Sequence, residues 1–116
     1  VLSSTQQLLL RLAWRRVGKE AEPEAALKLA VEIMNKGSRE DRLAAKLIER
    51  PPGDAIDQLR SISTSPQQLA LICVTIADLH PEQREAMLER AEKLNVIPEP
   101  PYHMIRRAIE RIRKGA

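Results

Sequence analysis

Apolar residues recur three and four positions apart along most of this chain, and no segment alternates apolar and polar residues at every second position. That spacing predicts amphipathic helices and no half-buried strand. The stops and starts between the stripes divide the chain into about seven helices. The first is expected over 3–18, from Ser3 or Ser4 as cap to Gly18 as stop, and the second over 23–36, with Pro23 at its first position. Leu27, Val31 and Met34 fall at i, i+4 and i+7 and predict the buried face of the second helix. Gly37 ends it, and Ser38 caps a third helix over 39–50.

Pro51-Pro52-Gly53-Asp54 breaks the pattern before a short fourth helix over 55–62. Ser65 and Pro66 then open a fifth, with Leu69, Ile72, Cys73, Ile76 and Leu79 in one stripe and Leu71 and Val74 on other faces. A helix apolar on most sides belongs at the centre of a domain, so the segment 66–79 is expected to be the one the others pack around. Pro81 opens a sixth helix over 81–95. Pro98, Pro100 and Pro101 hold a link to a seventh over 101–114, which would bury Tyr102, Ile105, Ile109 and Ile112. The expected fold is all-α, a compact single domain over 1–116, with short helices packed as hairpins around the central one. Its core should include Trp14, Val31, Leu47, Leu59, Ile72, Ile76, Leu88, Ile105 and Ile109.

Composition changes this picture in one respect. The 116 residues are 43% hydrophobic and 30% charged, an ordinary globular balance, but they include no Phe, one Trp and one Tyr. The core is therefore aliphatic, and aromatic platforms for stacking bases or sugars are scarce. No run approaches the roughly 18 apolar residues that span a bilayer, so no membrane association is expected. Val1 is not followed by a basic start and an apolar signal segment, so no targeting peptide is expected. A single cysteine, Cys73, has no internal disulfide partner and suits a reducing compartment.

Candidate chemistry is sparse. Cys73 is the one possible thiol nucleophile, and His80 lies seven residues on, roughly 10 Å along the same helix face, beyond direct hydrogen-bond reach. Cys73 reads as a small core hydrophobe. His80, just before Pro81, reads as a residue seated on the open carbonyls at the end of the fifth helix. His103 reads as a surface or boundary residue. Two histidines without a cysteine pair or clustered carboxylates make a poor zinc set. Glu24 and Lys28, Glu32 and Lys36, Glu89 and Lys93, and Glu110 and Lys114 stand at i, i+4 in the order that supports helices. No catalytic, cofactor-binding or metal-binding residue is expected, and no cofactor.

Charge is uneven along the chain. Residues 1–19 carry +4 through Arg11, Arg15, Arg16 and Lys19. Residues 106–116 also carry +4, through Arg106, Arg107, Arg111, Arg113 and Lys114 against Glu110. The middle carries −5, giving +3 in all. Side by side, the first and last helices would form a basic patch for nucleic acid or an acidic partner. So small a net charge argues against nucleic acid, and the expectation is a monomer without a partner.

Two stretches resemble globin helices: Val1, Leu2, Ser3, Ala13, Trp14, Val17 and Gly18 at the start, and Val74 to Pro81 later. They cover about a quarter of the chain, carry over no functional residue and imply no haem. The whole chain more closely resembles computationally designed helical proteins. PEAALKLAVEIMNKGSRED and HPEQREAMLERAEKL combine Ser or Pro starts, Ala/Leu/Glu/Lys/Arg filling and a Gly stop. QQLALICVTIADL and STQQLLLRLAW look more like native helix fragments. The resemblance implies a scaffold that folds stably and has no enzymatic role. The alternatives are a stacked-hairpin interaction module, or a weak nucleic-acid binder acting through the basic terminal helices.

Overall fold

A computed structural model describes residues 23–50, 53, 57–58, 66–94 and 103–114. They form α1 (Pro23–Lys36), α2 (Arg39–Glu49), α3 (Pro66–Leu79), a 3-10 turn (Pro81–Gln83), α4 (Arg84–Lys93) and α5 (Met104–Arg113). Among the described residues there are thus five α-helices and no strand, rather than seven helices. The helix expected over 3–18 lies outside the described residues, as do Trp14, Leu59, Ser65 and Tyr102. Of the one expected over 55–62, only Asp57 and Gln58 are described, and both are helical.

Local chemistry explains the boundaries. Pro23 and Pro66 occupy first positions, where a missing N–H costs nothing. Ser38 stands outside α2 in an extended conformation, and its Oγ accepts the Asp41 N–H at 3.2 Å. Gly37 joins α1 to α2 because of space. A Cβ there would lie 2.9 Å from both Asp41 Cβ and the Ile33 carbonyl oxygen. α2 stops one residue earlier than expected. Arg50, with φ −141° and ψ 80°, has left the helix, as suits a residue before a proline. The helix expected over 81–95 begins as a 3-10 turn, its Gln83 N–H bonded to the His80 carbonyl, and becomes α-helical at Arg84. It ends at Lys93, because Leu94 is extended. α5 begins at Met104 rather than at 101, and Pro101 lies outside the described residues.

α3 is the centre. Eight successive residues, Ala70 to Ala77, are buried, more than two full turns, so every face of the helix is covered. α2, α4, α5 and the 3-10 turn all pack against it, while α1 packs chiefly on α2. One polar side chain within this run, Thr75, donates its hydroxyl to the Leu71 carbonyl at 2.7 Å and so costs little to bury. Leu47, Ile72, Ile76, Leu88, Ile105, Ile109 and Ile112 are buried as expected, joined by Ile48, Leu71 and Met87. Fully burying each large aliphatic side chain contributes about 1.5–3 kcal/mol. The radius of gyration is 12.5 Å, close to the about 13 Å of a compact chain of this length.

One core residue was misplaced. Val31 is 39% exposed. α1 buries Ala30 and Ile33, with Leu27 and Met34 only half-buried. Ala30, Ile33 and Gly37 share one face at i, i+3 and i+7, and at Gly37 that face lies close to Asp41 of α2. Val31 is turned about 100° from Ala30, which brings it towards solvent.

Candidate functional site

His80, Glu82 and Arg84 lie together where α3 turns into α4. Two carbonyls there lack a donor for a reason written in the sequence. In a helix, each carbonyl bonds the N–H four residues on. For Ile48 that residue is Pro52, and for Ala77 it is Pro81; proline has no N–H. A side chain serves each. His80 reaches across the fold and donates its Nε2–H to the Ile48 carbonyl, 32 residues away in sequence. Arg84 donates from Nε to the Ala77 carbonyl at 3.0 Å. The His80 backbone N–H meanwhile bonds the Ile76 carbonyl at 2.9 Å, completing the end of α3.

His80 therefore sits on an open helix-end carbonyl, but on α2 rather than on its own helix, as the sequence had suggested. Its other ring nitrogen, Nδ1, lies 3.7 Å from Glu82 Oε1. The ring is thus engaged structurally on one nitrogen and faces a carboxylate with the other.

Cys73 is 1% exposed within α3. Burial pushes its thiol up from 9.0 to about 12, against an opposing pull from Arg90. A thiol so held is protonated at neutral pH and is a poor nucleophile. His103 is half-buried ahead of α5; among the described residues it makes no cap hydrogen bond, and its buried Nδ1 meets no partner. Among the described residues no group of three or more His, Cys, Asp and Glu side chains is placed to hold a metal, and no helix is long and apolar enough to cross a membrane.

Two carboxylates of α4 tie it to α5. Arg113, at the end of α5, pairs with Glu92 and, at 3.4 Å, with Glu85, both on α4. The spacings Glu32–Lys36, Glu89–Lys93 and Glu110–Lys114 do not close into ion pairs among the described residues. On α5, Arg106, Arg107, Glu110 and Lys114 are exposed and Arg111 half-buried, opposite a face that buries Met104, Ile105, Ala108, Ile109 and Ile112. The other half of the expected basic patch, Arg11, Arg15, Arg16 and Lys19, lies outside the described residues.

The sequence points to His80 but not to its partner, to Arg113 as a cation but not to its pairing with α4, and not to Arg84. The available signal was the position of the prolines, four residues beyond Ile48 and Ala77. It marks which carbonyls need a donor without saying which side chain supplies it. No protein-family model matches the chain, and neither a curated protein nor a solved structure resembles it significantly.

Proposed function

We propose that this chain is a designed helical scaffold whose task is to fold, without a catalytic role. The observation that carries the reading is the α3–α4 junction. There the histidine and arginine that could do chemistry instead close helix ends left open by Pro52 and Pro81. The buried, protonated Cys73 fits the same reading, as do the Ser38 cap and the Ala/Leu/Glu/Lys/Arg filling of α1 and α4. The alternative, a helical interaction module, would rest on Val31 and Leu43, the large apolar side chains exposed among the described residues at 39% and 37%.

Thermal unfolding of the purified chain tests the proposal. A scaffold unfolds cooperatively and reversibly with no ligand added, and its Tm stays put in the presence of divalent metals or nicotinamide and flavin cofactors. A specific ligand at a hundred times its Kd stabilises by about 2.7 kcal/mol, which raises the Tm of a domain this size by several degrees. Such a rise with any of these compounds would count against the proposal.

A further inference from the structure

The outer face of α5 is a charged surface whose cations meet no acid among the described residues. Arg106, Glu110 and Lys114 form one row at i, i+4 and i+8, and Arg107 and Arg111 form the next at i and i+4. Four cations thus surround one acid, and none of the four has an ion-pair partner among the described residues. The acids of α4 that reach α5, Glu85 and Glu92, are already met by Arg113. They do not cancel this face. Net charge along the sequence hid this, because the excess acids lie between the two ends of the chain.

We infer that this face binds the phosphate backbone of nucleic acid without regard to sequence. Three candidate occupants can be compared. A second copy could offer the exposed acids of α4. However, ion pairs between exposed side chains contribute little and do not offset the freedom lost when two folded chains associate. An anionic bilayer is favoured by apolar side chains that insert beside the cations, and the exposed positions of this face are Arg, Glu and Lys. Nucleic acid supplies a drive of its own, because cations that contact phosphates release condensed counterions. With no aromatic side chain among these residues, bases would not be stacked or read.

The test is binding of a mixed-sequence DNA duplex to the full chain across a salt series. The expected result is binding at low salt, with log K falling against log salt at a slope of about −3 to −4 for four contacting cations. In R107Q/R111Q the slope should flatten by about two, and affinity at low salt should drop at least about tenfold. Both side chains lie on the outer face, so the circular dichroism spectrum should be unchanged. K28Q/K36Q, which removes two exposed cations of α1, should bind like the parent. Three results would overturn the inference: no binding at low salt, an equal loss in the α1 variant, or tighter binding to phosphatidylglycerol vesicles than to the duplex.

Discussion

α3 and α5 are both apolar enough to sit in a core, yet they meet water in opposite ways. α3 has Asp78 as its single charged residue and is buried without a break from Ala70 to Ala77. α5 buries five residues on one side and turns arginines outward on the other. The comparison teaches that two different properties made these helices legible. α3 is fixed by having nowhere polar to turn, and so it must be surrounded. α5 is fixed by the sharp separation of its faces, and among the described helices it packs chiefly on α3.

The strongest way to break this contrast is a charge at the centre of α3. Ile76 is 0% exposed, and Ile76→Asp would bury a carboxylate with no partner. Cooperative thermal unfolding should be lost; a parent-like melting curve would show that α3 is not surrounded. On α5 the same chain should give two answers. Ile109→Ala, on the buried face, should cost about 2–5 kcal/mol in urea unfolding. Arg106→Ala, on the outer face, should stay within about 0.5 kcal/mol. Equal costs would deny that α5 has two faces.

Smaller effects sharpen the account of how α3 is joined to its neighbours. His80→Ala removes the donor on the Ile48 carbonyl and should cost about 1–3 kcal/mol. His80→Gln, which keeps a donor, should recover part of this if the tether is what matters. Ser38→Ala, which removes a cap from a helix that packs on α3 from outside, should cost about 1 kcal/mol. Chemical denaturation of each variant measures both.

The sequence showed where helices begin more clearly than which way they face. Pro23, Ser38 and Pro66 act on their own neighbours, so their effect is readable locally. The rotation of α1 was not, because Leu27, Leu29, Val31, Ile33 and Met34 offer several apolar faces. The face it buries carries Ala30, Ile33 and Gly37, and Gly37 lets α2 approach closely. The junction was half legible for a related reason. A missing N–H at Pro52 or Pro81 follows from the covalent structure, but a donor 32 residues away is a product of packing. Cys73 was legible as a core residue because its neighbours on all sides of the helix are apolar.

From Ala70 to Ala77, α3 is closed to water on every side, and Cys73 reports on that closure. Its thiol can react with a soluble disulfide reagent only when the helix is uncovered. Labelling measured at neutral pH across a denaturant series gives the free energy of that opening. The expected value equals that of global unfolding, with the same dependence on denaturant. Labelling at the rate of an exposed thiol, or through an opening far cheaper than unfolding, would contradict it.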